Sequence, residues 1–424
     1  MFWLRVFLLG LGFMSISVVW PLYDSFVTLY YQEWIASGLV VGLLMAMDNF
    51  LGLTLQPYVG ALSDQTRTRL GRRVPYLAAG APVAALFLAL IPFAREAGLW
   101  PLVGAAVGLN LAMASFRSPT VALMPDVIPP HLRSQANGII NWMGALGGAL
   151  AFLMASQLYP RDPRLPFFGA AGLLVAVALV FLFGIREPAE PQGGVPEEER
   201  PQGLWAAARS LARGLVDPQA RRLLLAVAFW SGAFQGTSTW FTTFATQHLG
   251  MDEGGATFSL LFFTGALLLF ALPAGWLGGR IGRRPTMAMG AALMALGVAA
   301  VWLAGSAGAV ADNPWPLRLA LLVAGTGHSL MVVQAYPALV QLAPPGQTGA
   351  YTGLYYIVSQ MGGILAPPFF GQLRDSVGWA GVFTATVVFL LFAGTTALTV
   401  RGAEALPVPA PGQTDGRGPG SAVF

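Results

Sequence analysis

Long apolar segments recur along the whole chain and constrain its fold more than any other feature. The 424 residues are 55% hydrophobic and only 10% charged, whereas soluble domains carry about 25% charged residues. A helix that crosses a bilayer needs roughly 20 apolar residues. The apolar runs between charges and turn signals predict twelve such helices, at 4–31, 36–62, 74–94, 99–124, 135–158, 166–185, 222–248, 256–279, 285–305, 316–340, 348–372 and 378–400. The sequence therefore predicts an all-α membrane protein.

Arginines are distributed unevenly among the predicted loops. All 23 basic residues of the chain are arginines. With both termini in the cytoplasm, seventeen fall on the cytoplasmic side and five on the outer side, the asymmetry that the positive-inside rule describes. We therefore expect the chain in the lipid bilayer of a bacterial inner membrane, and its basic pI of 9.6 needs no nucleic-acid partner. With no cysteine and only three histidines, neither a metal site nor a cofactor is expected.

One polar interruption divides the apolar pattern into two halves. Residues 187–221 begin with the stretch "EPAEPQGGVPEEERPQG", which is too polar to pack. The segment that follows spaces Trp205 and two leucines against arginines, as in a short helix on a membrane surface. We predict a six-helix bundle over 1–186, a cytoplasmic linker over 187–221, a second six-helix bundle over 222–400 and a disordered tail over 401–424.

The two halves repeat one another at an offset of 215 residues. Three separate regions keep this offset, namely Gly60-x-Leu62 with Gly275-x-Leu277, Pro129-Pro130 with Pro344-Pro345, and Gly147-Gly148 with Gly362-Gly363. Two halves related by an axis along the membrane normal place a substrate cavity between them, near the middle of the bilayer.

Each half carries a basic loop motif after its second helix. The first copy reads "GALSDQTRTRLGRR" at 60–73 and the second reads "GWLGGRIGRRP" at 275–285. This pair resembles the major facilitator superfamily, whose loop has a pattern similar to G-x-L-(A/S)-D-x-x-x-R-(K/R). The longer first loop and the segment 116–148 resemble the glycoside–pentoside–hexuronide:cation symporters and their sucrose-transporter-like relatives. The resemblance implies the major facilitator fold, with two pseudo-symmetric six-helix bundles, and such relatives mostly carry sugars coupled to protons or sodium.

Charged residues of the motif region are concentrated in the first half. The repeat replaces three of them by uncharged residues, namely Asp64 by Gly279, Asp126 by Gln341 and Arg133 by Thr348. We predict a one-sided cytoplasmic gate with the candidates Gly60, Asp64, Arg67, Arg72, Arg73, Asp126, Arg133, Glu187, Arg280 and Arg283. We expect a network of Asp64, Arg67 or Arg72, Asp126, Arg133 and Glu187, which would also place Asp64 near the positive N-terminal end of helix 11. In the alternative interpretation these charges only hold the loops inside, since exposed pairs are worth about 0–1 kcal/mol.

Four ionisable residues stand out well inside predicted membrane helices, where a charge costs about 2.5–3.5 kcal/mol on insertion scales. They are Asp24, Asp48, Arg117 and His328, and Asn49 lies beside Asp48. Asp48 and Arg117 can neutralise one another as a structural pair. Alternatively, Asp24 or Asp48 carries a coupling proton. His328 can be a polar ligand, a proton carrier or a satisfied buried histidine.

Polar side chains at helical spacing are candidates for lining the cavity. They are Asn137, Asn141, Gln235, Trp240, Gln334, Tyr356 and Gln360. Amides and hydroxyls around an aromatic ring suit a sugar, which presents hydroxyl groups and an apolar ring face. The alternative is interhelical hydrogen bonding, worth about 0.6 kcal/mol on average.

These features favour a proton-coupled symporter of a sugar or glycoside that works by alternating access. The sequence shows neither a nucleotide-binding loop nor a catalytic constellation, which argues against an ATP-driven pump and an enzyme. Sodium-using glycoside symporters resemble D-x-x-x-D-P in helix 2, where this chain has Gly52 and Gln56-Pro57, and this difference favours protons. The alternatives are a proton-antiporting exporter of small amphipathic compounds and a membrane sensor. We expect a monomer whose partners are a small-molecule substrate and a coupling proton.

Overall fold

The computed structural model describes residues 2–128, 132–184, 217–306, 308, 310, 313–344 and 347–401. This part of the chain forms twelve helices and contains no β-strand. Three helices are segmented: α1 comprises Phe2–Ser17, Val19–Leu22, Tyr23–Val27 and Thr28–Gln32, α2 comprises Gly38–Met45 and Met47–Gln65, and α7 comprises Pro218–Thr243 and a π-helical turn at Phe244–His248. The others are α3 (Val74–Ala97), α4 (Leu99–Val127), α5 (Arg133–Leu158), α6 (Leu165–Gly184), α8 (Glu253–Ile281), α9 (Arg283–Ser306), α10 (Trp315–Gln341), α11 (Thr348–Val377) and α12 (Trp379–Leu398).

Most of these helices are long and apolar enough to span a bilayer. By length and composition, ten of the twelve are candidate membrane spans. α7 and α11 are more polar, with side chains such as Gln235 in α7 and Gln360 and Asp375 in α11. Both of these helices also contact the first half of the chain. The predicted all-α architecture of twelve helices is confirmed.

Buried apolar side chains form two clusters, one for each half of the chain. The first is built mainly from α1–α6 and the second from α7–α12. Trp240, Phe370 and Val382 of the second half pack into the first cluster, so the halves are in direct contact. Most of the predicted linker and nearly all of the predicted tail lie outside the described residues, which stop at 184, resume at 217 and end at 401.

The sequence repeat has a counterpart in the packing of the helices. Gly147 of α5 lies against the backbone of α1 at Met14, where a Cβ atom would clash. At the equivalent position of the second half, Gly362 of α11 lies against α7 at Ser231 and Gly232. Small residues allow helix backbones to approach this closely in a bilayer. The repeat therefore relates the α5–α1 contact to the α11–α7 contact.

The two ends of the bundle differ in how closely the halves approach. We call the end with the α2–α3 and α8–α9 connections, which hold the two basic motifs, the motif side, and the other end the opposite side. At the opposite side, α2 and α11 touch through backbone atoms, with Gly38 against Gly371 and Gly42 against Pro367. Toward the motif side, Tyr356 of α11 is 58% exposed. The bundle is therefore closed at the opposite side and open toward the motif side.

Candidate functional site

A wide helical turn in α1 presents Asp24. Pro21 has no backbone N–H to donate, and α1 continues through a π-helical turn at Tyr23–Val27. Single π-helical turns inside α-helices are frequent at functional sites. Thr28 Oγ1 donates to the Asp24 carbonyl oxygen at 2.9 Å, whereas no hydrogen bond from a described residue reaches the Asp24 carboxyl group. The turn thus leaves this carboxyl group available to a proton or a ligand.

A hydrogen-bonded chain runs from Asp48 of α2 to the second half. Asn49 Nδ2 donates to Asp48 Oδ1 at 2.7 Å, and Gln235 Nε2 of α7 donates to Asn49 Oδ1 at 3.4 Å. Asn49 also packs against Gly363 of α11, where a Cβ atom would clash. The Asp48 carboxyl group is therefore connected, through amide side chains, to the contact between the two halves.

Arg117 of α4 lies in a cluster to which both halves contribute. Its guanidinium carbon is 6.0 Å from the ring centre of Trp20 in α1. Arg117 attracts Asp48 electrostatically, and Asp48 repels Asp24. Tyr356 of α11 lies within electrostatic range of Arg117 from across the gap between the halves. We call these five residues the central cluster, and it unites three of the four predicted intramembrane charges.

Asp48 and Arg117 interact at a distance and do not form the structural ion pair considered from the sequence. Among the described residues, the salt bridges within 4.0 Å do not include either side chain. Tyr356 is 58% exposed, and Asp24, Asp48 and Arg117 are half-buried. The central cluster is therefore not sealed inside the packed core of either half.

Three other predicted cavity residues are buried in packed contacts. Trp240 is 1% exposed, and its Nε1 donates to the Pro367 carbonyl oxygen at 2.9 Å. Gln334 is 4% exposed, and its Nε2 donates to the Ala274 carbonyl oxygen of α8 at 2.8 Å. His328 lies among aromatic rings of the second half. In this structure, interhelical hydrogen bonding describes Trp240 and Gln334 better than cavity lining does.

The remaining cavity candidates are divided between surface and interface. Gln360 of α11 packs against Gly52 of α2 at the contact between the halves. Asn141 of α5 is exposed. The side chain of Asn137 lies outside the described residues. Only Gln360 of these three is placed between the two halves by a described contact.

A network of charges ties together three helix ends at the motif side. Arg73, just before α3, pairs with Asp64 near the end of α2, and its Nε lies 2.9 Å from Asp126 Oδ2 near the end of α4. Arg72 Nη2 lies 2.7 Å from Asp126 Oδ1, and Arg73 Nη1 donates to Ser63 Oγ at 2.7 Å. Arg73 and Asp126 are each only 5% exposed. The network therefore belongs to the packed interior of the first half rather than to a loosely held loop.

The observed ion pairs include some of the gate residues predicted from the sequence and not others. Of the two alternative arginines, Arg72 contacts a predicted carboxylate, whereas Arg67 is exposed and has no ion pair with a described residue. Glu187 and the side chain of Arg133 lie outside the described residues. The contact of Asp64 with the N-terminal end of α11 stays a prediction for a state that is closed at the motif side.

The motif glycine, Gly60, and the arginines of the second motif copy have different surroundings. Gly60 lies against Ser118 of α4, whose Oγ would be 2.7 Å from a Cβ atom. In the second copy, the Arg280 guanidinium lies 4.7 Å from the ring centre of Trp276, and a buried Nη1 of Arg283 has no described partner. Neither of these two arginines pairs with a described carboxylate. The charge pairs of the motif side are therefore found in the first half of the described chain.

A second polar network, which the sequence analysis missed, joins the halves at the opposite side. Arg374 Nη1 of α11 donates to Gln32 Oε1 at 2.6 Å, and Gln32 Nε2 donates to Thr243 Oγ1 at 2.7 Å. The Asp375 carboxylate accepts a hydrogen bond from the backbone N–H of Gly38, the first residue of α2. We call these five residues the opposite-side latch.

Aromatic rings hold the arginine of this latch in place. The Arg374 guanidinium carbon lies 4.6 Å from the ring centre of Trp240 and 6.0 Å from that of Trp379, within the range of cation–π attraction. Trp240 therefore supports the latch in this structure. The only sequence signal of this latch is the adjacent pair of charges at Arg374 and Asp375, just after the predicted span 348–372, and it is weak because charges are ordinary near helix ends.

A membrane bundle of two repeated six-helix halves, closed at one side around a central polar cluster, is the architecture of a membrane transporter and not of an enzyme. The sequence model of the Major Facilitator Superfamily matches residues 2–269 and 254–421. The chain belongs to this superfamily, as its loop motifs indicated.

Curated relatives in this superfamily are distant. The chain is 23% identical over 288 residues to a cis,cis-muconate transport protein of Acinetobacter baylyi, covering 66% of this chain and 68% of the relative. It is 22% identical over 314 residues to an isoprimeverose transporter of Lactiplantibacillus pentosus, covering 71% and 64%. A sucrose transport protein of Arabidopsis thaliana is 28% identical over 155 residues, covering 31% and 26%. The chain thus spans less than two thirds of the length of several relatives that it matches.

Solved structures agree in fold over nearly the whole chain. A bacterial homologue of the human lysosomal transporter Spinster, in an inward-facing and unoccupied conformation, has a TM-score of 0.71 at 17% identity, covering 96% of this chain and 98% of that one. A D-xylose-proton symporter has a TM-score of 0.69 at 12% identity, covering 96% and 100%. These structures share the fold of the chain, and its superfamily together with its candidate membrane spans make it a multi-pass membrane transporter.

Proposed function

We propose that the protein is a secondary active transporter that moves a sugar or glycoside together with a proton by alternating access. The central cluster carries this proposal, because it holds two carboxyl groups and one guanidinium between the halves. The isoprimeverose transporter, the sucrose transport protein and the D-xylose-proton symporter among its relatives support the sugar, and the last supports the proton.

Proton binding to Asp48 alters contacts on which both halves depend. Ionised Asp48 attracts Arg117 and accepts from Asn49, whose oxygen accepts from Gln235 of the second half. A proton removes the charge that attracts Arg117 and converts one acceptor oxygen into a donor. A proton on Oδ1 displaces the hydrogen bond from Asn49, and the chain of amides then gives protonation a route to the contact between the halves. Asp24, which ionised Asp48 repels, is the second candidate for the proton.

The orientation follows from the arginine distribution. We place the motif side and both termini in the cytoplasm of a bacterial cell, so that the cavity of this structure opens inward. A membrane potential of roughly 150 mV supplies about 3.5 kcal/mol per charge. At about 1.4 kcal/mol per tenfold, one proton per neutral sugar supports an accumulation of a few hundredfold from this potential alone.

The test is uptake by the full chain in proteoliposomes. A panel of labelled monosaccharides, disaccharides and glycosides is offered with an imposed inward gradient of protons or of sodium. We expect accumulation of at least one sugar with the proton gradient and not with the sodium gradient. Asp24→Asn or Asp48→Asn should abolish accumulation but retain exchange of labelled for unlabelled substrate, because exchange needs no net proton movement.

Asp162→Asn is the matched control, since Asp162 is a carboxylate in the α5–α6 connection, away from the central cluster. It should transport like the unchanged protein. If both Asp24→Asn and Asp48→Asn keep proton-driven accumulation, these carboxyl groups are not the coupling sites. Export of hydrophobic dyes without uptake of any sugar would favour the exporter instead.

A further inference from the structure

Arg117 holds the largest set of unused hydrogen-bond donors in the central cluster. A guanidinium has five N–H donors and no acceptor. Within the described part of the chain, none of these donors reaches a protein acceptor, and no carboxylate lies within 4.0 Å. A charge inside a membrane bundle normally pairs with another charge or with carbonyl groups. The Arg117 site therefore lacks an acceptor.

Trp20 adds a donor beside Arg117. Its Nε1 atom is buried and has no partner among the described residues. The ring centre lies 6.0 Å from the Arg117 guanidinium carbon, and an indole N–H can only donate. Tyr23 packs edge-on against the Trp20 ring with 6.0 Å between ring centres, which fixes the ring position. α1 and α4 thus each contribute to the central cluster a side chain whose N–H donors have no described protein acceptor.

Asp48 does not satisfy these donors. Its carboxylate attracts Arg117 but stays beyond salt-bridge distance, and its Oδ1 accepts from Asn49 at 2.7 Å. A carboxylate on a ligand suits the site better, since its two oxygens can accept two parallel hydrogen bonds from one guanidinium. The open gap beside Tyr356 gives such a ligand access from the motif side.

We propose that the transported substrate carries a carboxylate group that binds Arg117, with the Trp20 indole N–H as a further donor. The inference rests on the proposed transport function and narrows the proposed sugar to an acidic sugar; a non-sugar organic acid would use the same site but replace the sugar of that proposal. Ionised Asp48 competes with the substrate carboxylate for Arg117, and a proton on Asp48 ends that competition. Proton and anion therefore enter the central cluster together.

The test compares acids with neutral analogues of the same shape in proteoliposomes of the full chain. One pair is 4-nitrophenyl β-glucuronide and 4-nitrophenyl β-glucoside, and the other is cis,cis-muconate and its diamide. We expect the acid of at least one pair to be taken up at least about tenfold faster than its neutral analogue at low concentration, the discrimination typical of a hydrogen bond to a charged group. The first pair identifies an acidic sugar, and the second identifies a non-sugar acid.

Arg117→Gln should lower uptake of the preferred acid roughly 10- to 100-fold and remove the preference over the neutral analogue. Arg117→Lys should keep part of it, because it keeps the charge without the bidentate geometry. Trp20→Phe should cause a smaller loss, of about threefold to tenfold for one neutral donor. Arg161→Gln removes an exposed arginine of the α5–α6 connection and is the control that should change nothing. Membrane amount and elution of each purified variant show that it folds.

The inference is overturned if neither acid is taken up, if both neutral analogues are taken up equally well, or if Arg117→Gln keeps the preference. Proton-driven uptake of a neutral glycoside with exclusion of both acids would overturn the inference and leave the proposed function standing. Uptake of muconate alone, dependent on Arg117, would support the carboxylate site and contradict the sugar.

Discussion

The opposite-side latch makes a quantitative prediction about Asp375. Its carboxylate is the acceptor for the first backbone N–H of α2, at Gly38, where the positive end of the helix dipole favours a negative charge. The Asp375 side chain is 28% exposed, so water replaces this contact only in part. Asp375→Asn keeps an oxygen that can accept but removes the charge. The closed opposite side should then lose stability relative to its open alternative.

The size of this loss follows from the difference between two kinds of hydrogen bond. Bonds to charged groups contribute about 1.5–3 kcal/mol, and bonds between neutral groups contribute about 0.5–1.5 kcal/mol. The substitution should therefore cost about 1–1.5 kcal/mol. At about 1.4 kcal/mol per tenfold, the ratio of molecules open to molecules closed at the opposite side should rise roughly 5- to 10-fold.

Spin labels across the latch can measure that ratio. The chain has no cysteine, so Trp34→Cys and Val377→Cys provide two unique labelling positions, 53% and 62% exposed, one in each half at the opposite side. Pulsed electron–electron double resonance measures the distance between the two spin labels. We expect Asp375→Asn to raise the ratio of molecules with the long distance to molecules with the short distance roughly 5- to 10-fold.

Glu96→Gln is the matched control for this measurement. Glu96 pairs with Arg164 at 2.7 Å on the same side of the bundle, but both residues belong to the first half and the glutamate side chain is 59% exposed. Its loss should leave the distances unchanged. An Asp375→Asn distribution that is also unchanged, or an equal shift in both variants, would refute the role of Asp375 in closing this side.

Two further predictions concern the motif side. Asp126→Asn removes one of the two carboxylates that pair with Arg73, whose side chain is 6% exposed. Because breaking a buried pair costs about 3–5 kcal/mol, the melting temperature of the purified protein should fall by several degrees. Arg67→Gln, at an exposed position, should not change the melting temperature. An unchanged melting temperature for Asp126→Asn would contradict the buried network. Asp64→Asn should slow uptake roughly tenfold at normal membrane abundance, because a partly buried charge at a helix N-terminus is worth up to about 2 kcal/mol. Uptake at the normal rate would contradict the predicted contact of Asp64 with α11.

The sequence predicted the helices well because membrane spans depend on composition over long windows. Each predicted span overlaps one observed helix, including α7 and α11, which are the most polar of the twelve. The repeat was also readable, since Gly147 and Gly362 each permit a close helix contact that a side chain would prevent. These properties belong to single segments or to a fixed offset, so they need no knowledge of the neighbouring helices.

The contact partners of individual side chains could be predicted less well from the sequence. Helical spacing indicates which side chains share a face but not which helix faces them, so Trp240 and Gln334 resembled cavity residues although they donate to carbonyl oxygens of other helices. The choice between Arg67 and Arg72 depends on the path of a short connection, which spacing does not define. Arg374 and Asp375 lie near a helix end, where charges are ordinary, so their contact across the halves gave no distinctive pattern.

The predicted contact of Asp64 with α11 would give both sides of the bundle a charged contact between the same pair of helices. At the opposite side, the carboxylate of Asp375 near the end of α11 binds the start of α2. At the motif side, Asp64 near the end of α2 is predicted to meet the start of α11. The repeat relates α2 and α11 to α8 and α5. In the described contact between α5 and α8, Gly254 meets Pro160, and the start of α8 is capped by its own Asp252 rather than by a carboxylate from the other half.

This arrangement matters for alternating access because a ligand can shift a two-state equilibrium only by its differential affinity for the two states. If one side alone had a charged latch, a bias of several kcal/mol would have to be overcome in every cycle. If Asp64 makes its predicted contact, two contacts of the same chemical kind at opposite ends of α2 and α11 oppose one another and keep the two states close in free energy. A single proton and a single substrate in the central cluster are then sufficient to decide which end is open.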